Sequence, residues 1–244
     1  MQDILKSNTP AFVFDTAALK KRVAQIKEIV GETVSLCYSM KANPFFVPAM
    51  ITCVDKLEVC SPGELTICKK LGVDASRIIY SGVNKEIPDI KEAYEYGVGT
   101  FTAESVRQAD LIQQVVETAA AGEKAEVILR LNSGSQFGMS KEDLLTILQC
   151  RESKYTSLNF TGIHYFVGTQ RKRAKRKIKE LQMLLELFEE IQNKCGLKLK
   201  KLEYGPGFAV PYFEDDDFED TLYPVKELKD TLKQVAQQVD LTIE

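Results

Sequence analysis

The sequence predicts an α/β fold, a closed parallel (β/α)8 barrel of the TIM type. Three observations point there. Short apolar, β-branched runs alternate with longer stretches of helical apolar spacing, the pattern of parallel strands joined by helical crossovers. With the first run set aside, eight strand-like segments remain, spaced roughly 20–40 residues apart, and eight strand–helix units close a barrel. No G-x-G-x-x-G turn follows an early strand, which disfavours an open doubly wound sheet.

The elements follow in order. Residues 11–14 read as a strand at an edge or in another sheet, and 17–30 as the first helix. Strand one covers 33–40 and strand two 57–60. A helix over 63–71 follows, with Ser61 as N-cap, Pro62 at its first position and Glu64 placed to close a capping box. Strands at 78–81, 98–101, 125–131, 160–167, 199–204 and 241–244 then alternate with helices at 87–96, 104–121, 141–150, 175–194 and 225–239. Residues 1–30 therefore form an N-terminal segment with the first helix, and 31–244 the barrel. Strand eight runs to Glu244, with no helix after it to cover that sector. The expectation is a barrel truncated after strand eight, or one in which another segment supplies the cover.

Composition narrows the function. The chain has 244 residues, 32 Lys+Arg against 35 Asp+Glu, and a net charge of −3. This is ordinary globular usage, and a poor match to nucleic-acid binding. No apolar run is long enough to span a bilayer, and the first residues lack a signal-peptide pattern. Cys37, Cys53, Cys60, Cys68, Cys150 and Cys195 form no C-x-x-C, and His164 is the single histidine, so no metal site is expected. Scattered thiols of this kind suit a reduced, cytoplasmic protein.

The unusual residues fall at the carboxyl ends of the strands, where barrels carry their active sites. Lys41 ends strand one. There, loss of solvation is expected to depress its pKa and free the amine as a nucleophile. His164 and Phe166 are two apart on strand six and share a face. Gly205-Pro206-Gly207 forms a tight turn after strand seven where backbone can approach an anion. Glu244 ends strand eight, placed to face a protonated ring nitrogen. Two charge runs stand apart: RKRAKRK at 171–177 and EDDDFED at 214–220. They read as solvated faces that offset one another, with an anionic partner on the basic run as the alternative.

Taken together, these segments resemble a known family. Tyr38-Ser39-Met40-Lys41-Ala42-Asn43-Pro44 resembles the Y-x-x-K-A-N motif of fold-type III pyridoxal 5'-phosphate (PLP) enzymes. Residues 9–15 (TPAFVFD) and Ser61-Pro62-Gly63-Glu64-Leu65 resemble segments of their decarboxylase branch. Ser135-Gln136-Phe137-Gly138 is similar to S-K-F-G, and residues 162–170 to G-x-H-x-H-x-G-S-Q. Residues 203–212 resemble D-x-G-G-G-F-x-x-x-Y, and Ile243-Glu244 the approach to E-P-G-R. The family is that of the diaminopimelate, ornithine and arginine decarboxylases, with an alanine racemase-like PLP-binding barrel. The resemblance implies a PLP-dependent carbon–carbon lyase acting on a diaminopimelate-like, basic or carrier-tethered amino acid. Lys41 would hold PLP as a Schiff base and Glu244 would pair with its ring nitrogen. His164 and Phe166 would flank the ring, and Gly205, Gly207 and Phe208 would receive the phosphate. A cytoplasmic homodimer is implied for the full-length enzyme.

The departures from the family pattern matter too. Phe166 stands where a second histidine is usual, so it can stack but cannot donate a proton. Pro206 replaces a glycine and removes one backbone N–H. Gln136 replaces a lysine, and the segment after Asn132 is short. Glu58 matches a family acid of undefined role. The family's C-terminal β-domain is absent from these residues, so the barrel alone is expected to be inactive. Three alternatives stay open: a PLP-dependent racemase, a PLP-carrier barrel without turnover, and a non-catalytic regulator on the same scaffold.

Overall fold

The computed structural model describes residues 10–119, 122–213, 216 and 220–244. Eight parallel strands form one closed ring in chain order. They are β1 (Val34–Ser39), β2 (Lys56–Val59), β3 (Ile78–Tyr80), β4 (Thr100–Ala103), β5 (Ala125–Arg130), β6 (Leu158–Phe166), β7 (Lys201–Gly205) and β8 (Asp240–Ile243). β1 pairs with β8, Val34 opposite Leu241 and Leu36 opposite Ile243, which shuts the ring. The helices are α1 (Thr16–Val30), the single-turn α2 (Val47–Met50), α3 (Pro62–Lys70), α4 (Ile87–Tyr96), α5 (Val106–Thr118), α6 (Lys141–Gln149), α7 (Ala174–Cys195) and α8 (Tyr223–Ala236).

Strand side chains alternate, and the alternation sorts them by chemistry. Leu57, Val59, Ile78, Tyr80, Val127, Leu129, Leu202, Tyr204 and Leu241 join one continuous core under the helices. The intervening residues point into the lumen. There, the apolar side chains Cys37, Ile79 and Ile128 form a separate small cluster. The rest of the lumen is polar: Lys56 donates to Thr242 at 3.0 Å, Ser81 and Thr102 share a hydrogen bond at 2.8 Å, and Lys201 pairs with Glu126.

β6 breaks its own alternation. Phe160 pairs with Val127 but Gly162 pairs with Ile128, so Thr161 is an extra residue in a bulge. Leu158 and Phe160 lie in the outer core, and beyond the bulge so do Ile163 and Tyr165. The change of parity turns His164 and Phe166 into the lumen.

Several expectations are corrected here. Residues 10–15 contain no strand, and Phe12 is 93% exposed. A closed ring offers no edge for it to pair with. Phe14 packs edge-on against Phe46 instead, centroids 4.8 Å apart. Strand four ends two residues later than the apolar run suggested, at Ala103. The following helix, α5, starts behind Ser105, whose hydroxyl accepts from Gln108 N. Residues 120–121, expected in that helix, lie outside the described residues, as does most of the acidic run at 214–220. At α3, Ser61 caps Glu64 N as expected, but Glu64 reaches past the cap and accepts from Cys60 N at 2.7 Å. The sector beside β8 is covered. Helix α1 packs against α8, and Val23 and Val30 join the core with Val34, Val225 and Ile243.

Candidate active site

The carboxyl ends of the strands surround a cavity of about 270 Å³. Lys41, Glu58, His164, Phe166 and Glu244 line it, together with Cys60, Glu104, Arg130 and Phe137. Four residues expected at the site are thus brought together from three different strand ends: Lys41, His164, Phe166 and Glu244. Gly205, Gly207 and Phe208, also expected at the site, do not line this cavity. Phe208 borders an adjoining apolar space of about 130 Å³ between the barrel and α1 and α8, which also touches Glu244.

Each side chain is placed by local structure. β1 runs into a short 3-10 turn over Met40–Ala42 that tips Lys41 over the mouth. Tyr38 Oη donates to Asn43 O at 2.6 Å and fixes that turn. Lys41 Nζ pairs with Glu58 and lies 3.7 Å from Cys60 Sγ, both from the neighbouring β2 end. Its side chain remains 48% exposed, while that of Glu58 is 3% exposed. The expected depression of the Lys41 pKa is therefore not what the structure gives. Burial pulls the ammonium down, but Glu58 and Glu244 more than offset this and raise it above the ordinary lysine value. The carboxylate that reverses the sign comes from the next strand.

Glu244 and His164 face each other from β8 and β6. His164 Nε2 stands 3.2 Å from Glu244 Oε1, without the alignment of a hydrogen bond. Both ring nitrogens and that oxygen are buried with no hydrogen-bond partner among the described residues. Burial pushes the Glu244 carboxyl up, but His164, Lys41 and Glu203 outweigh it and hold it at about 2. Glu203, one strand over and also buried, has the opposite fate. Burial, then Glu244 and Glu58, push it well above the usual carboxylate range. The two carboxyls are thus driven apart, and Glu203 keeps its proton to a higher pH than Glu244 does. Ligand atoms of Glu58, His164 and Glu244 lie within 4.8 Å of one another, a donor set that could also grip a divalent cation. The Lys41 ammonium already supplies positive charge to that set.

The turn after β7 is shaped by close approach. A Cβ on Gly205 would stand 2.4 Å from the Phe166 ring and 3.3 Å from Glu244 Oε2. Gly207 has φ 57°, and a Cβ there would meet Gly168 O at 1.8 Å. Arg171 N donates to Gly207 O at 2.9 Å and ties this turn to the loop after β6. The N–H groups of Gly207 and Phe208 meet no acceptor among the described residues.

The sequence reading left Glu104 and Lys85 out of the site and gave Arg130 and Phe137, at and after the end of strand five, no role there. Glu104 pairs with Arg130 at 2.7 Å, both largely buried, and Arg130 stands 5.3 Å from the Phe137 ring centroid. Ending strand four at 101 hid the alternation Thr100, Thr102, Glu104 that points inward. Lys85, in the loop after β3, is 3% exposed and donates to Gly82 O. Burial lowers its pKa to about 8, against the pull of Glu104. Its loop position carries no periodicity that could have flagged it.

Comparison with known proteins places this geometry in a family. A diaminopimelate decarboxylase of Aquifex aeolicus is 25% identical over 252 residues, covering 96% of this chain and 58% of the relative. The L-glutamyl-[BtrI acyl-carrier protein] decarboxylase of Niallia circulans is 28% identical over 225 residues, covering 85% of this chain and 52% of that one. The chain thus spans little more than half the length of these relatives. The crystal structure of lysine decarboxylase from Selenomonas ruminantium shares the fold, with a TM-score of 0.83 at 24% identity over 100% of this chain and 63% of its own. These relatives do not favour the racemase, carrier or regulator alternatives. No helix among the described residues is long and apolar enough to cross a membrane. Residues 16–244 match the family described as pyridoxal-dependent decarboxylase, pyridoxal binding domain, and on that match the chain belongs to this PLP-dependent family.

Proposed function

We propose that this barrel holds PLP on Lys41 and serves the decarboxylation of an amino acid. The observation that carries the reading is the convergence of the Lys41 amine, the ionised Glu244 and an unpartnered His164 on one cavity. The residues present fit the cofactor. Glu244 Oε1 is a buried acceptor without a donor, which a protonated ring nitrogen would satisfy. His164 and Phe166 offer flat faces beside it. The free N–H groups of Gly207 and Phe208 suit a phosphate, with Pro206 contributing none. When bound, the cofactor would supply an electron sink for the carbon that loses carbon dioxide.

The chain's own residues do the rest. Glu58, hydrogen-bonded to Lys41 Nζ, is placed to accept the proton that the amine must lose before it can act as a nucleophile. Glu244, held ionised by His164, Lys41 and Glu203, would pair with the ring nitrogen and favour its protonated form. Phe166 excludes water from one side of the cavity without offering a proton. Arg130, neutralised by Glu104, leaves donors toward the mouth for a substrate carboxylate.

The substrate class we propose is a diaminopimelate-like, basic or carrier-tethered amino acid, supported by what the relatives named above act on. Six free cysteines fit a reducing, cytoplasmic setting. Exposed Phe12, Phe45, Tyr212 and Phe213 support a homodimer that would cover them. The test is borohydride reduction of the chain incubated with PLP, followed by peptide mapping. The pyridoxyl group is expected on Lys41. Labelling on another lysine, or labelling that survives Lys41→Ala, overturns the assignment.

A further inference from the structure

The basic run at 171–177 reads as one surface in the sequence, and the structure divides it. Arg173, Lys175 and Arg176 are exposed. Lys177 is 1% exposed and among the largest fully buried side chains. Its Nζ donates to Arg171 O at 2.5 Å and stands 5.6 Å from the Phe208 ring centroid. Arg171 reaches Pro206 O at 3.4 Å through Nη1 and pairs with Glu180 through Nη2. Both cations are therefore packed against the turn formed by residues 205–208.

Their charge compensation is unequal. Glu180 is engaged by Arg171 and by Tyr204 Oη at 2.8 Å. Lys177 forms no ion pair with a carboxylate among the described residues, and one of its three donors is engaged, by Arg171 O. Burial and Arg171 both disfavour its charged form, while Glu180 and Glu227 are the carboxylates that favour it. A buried ammonium so placed is costly unless an anion arrives nearby. The adjoining turn has lost one anion donor, because Pro206 has no N–H.

We propose that Lys177 is a positioning residue of the cofactor site: the positive charge behind the 205–208 turn that makes this barrel select a phosphorylated pyridoxal over the unphosphorylated form. The inference rests on reading that turn as the phosphate site. Lys177 acts through space and through Arg171 O, which it holds, so that both the charge and the shape of the cradle depend on it.

The test compares PLP with pyridoxal, which carries the same aldehyde and ring without the phosphate. Both are titrated by absorbance into the full chain, the Lys177→Met variant and the Lys177→Arg variant, with a thermal melt of each. The unaltered chain is expected to prefer PLP. Lys177→Met should weaken PLP binding about tenfold and leave pyridoxal binding within about twofold, while Lys177→Arg keeps most of the preference. A purely structural lysine would weaken both ligands together, and that result overturns the proposal, as does an unchanged ratio. If Lys177→Met does not fold, Lys177→Gln retains a donor toward Arg171 O without the charge and carries the same comparison. Absence of any PLP preference in the unaltered chain would instead refute the phosphate reading of the turn itself.

Discussion

The two faces of the barrel wall are built from the same strands and obey opposite rules. Outside, Leu57, Val59, Ile78, Leu129, Ile163 and Leu202 pack into an unbroken apolar layer beneath the helices. Inside, three apolar side chains sit between the Lys56–Thr242 and Lys201–Glu126 contacts on one side and the cluster around Lys41 on the other. Small parallel barrels ordinarily fill the lumen with branched apolar residues. Here the lumen holds carboxyls with unpartnered oxygens, Glu203 among them. The difference teaches that folding free energy comes chiefly from the outer layer, which can therefore carry a destabilised, reactive interior.

That contrast can be broken or sharpened by mutation. The largest effect belongs to the outer layer: Leu202→Ala, at a fully buried site, should cost about 2–5 kcal/mol in urea unfolding. A cost below about 1 kcal/mol would refute the assignment of stability to that face.

Lys85→Met should act in the opposite direction. A lysine held at about 8 when folded and 10.5 when unfolded keeps fewer protons in the folded state between those values, so stability rises with pH across that window. At pH 7 the folded state bears the whole penalty, about 3 kcal/mol at most. Lys85→Met should recover much of it and flatten the rise between pH 8 and 10.5. Gln108 Nε2 still reaches Gly82 O, at 3.3 Å.

Glu203→Gln fixes the uncharged form that burial and the neighbouring carboxylates favour, and should stabilise the chain by about 1 kcal/mol at neutral pH. Because burial and neighbouring carboxylates raise this acid, the native state keeps its proton longer than the unfolded chain. Its stabilising contribution is full below the unfolded value of 4.5 and fades as pH rises, so the gain from Gln should vanish near pH 4. A melting temperature that shifts equally at pH 4 and pH 8 would contradict this. The smallest effect is predicted at the exposed end of the basic run. Arg173→Gln, Lys175→Gln and Arg176→Gln should each change stability by less than about 0.5 kcal/mol, in contrast to buried Lys177.

Much of the fold was legible because periodicity is a local signal. The strand–helix order needed only the spacing of apolar residues, and Ser61-Pro62 marked the start of α3. What was not legible depended on neighbours distant in sequence. The sign of the Lys41 shift was set by Glu58 on another strand. That His164 and Phe166 share a face was readable, but which face turned on the bulge at Thr161. Lys177 was readable in principle. With Leu181, Leu184, Phe188 and Ile191 it forms the buried stripe of α7, and the density of charge around it masked the helical spacing.

The seam between β1 and β8 has a consequence for how the molecule comes into being. Val34 pairs with Leu241, so the ring joins residues more than two hundred positions apart. Until residues 240–243 have been synthesised, β1 and β7 are both open edges, and the lumen carboxyls face solvent along one side. Strand pairs of such separation form slowly, and nascent barrels with open edges are prone to pair with one another. Helix α1, which precedes β1 in the chain, can mask the β1 side of the gap before α8 and β8 arrive. Its position makes it a temporary guard of the seam that later becomes part of the wall.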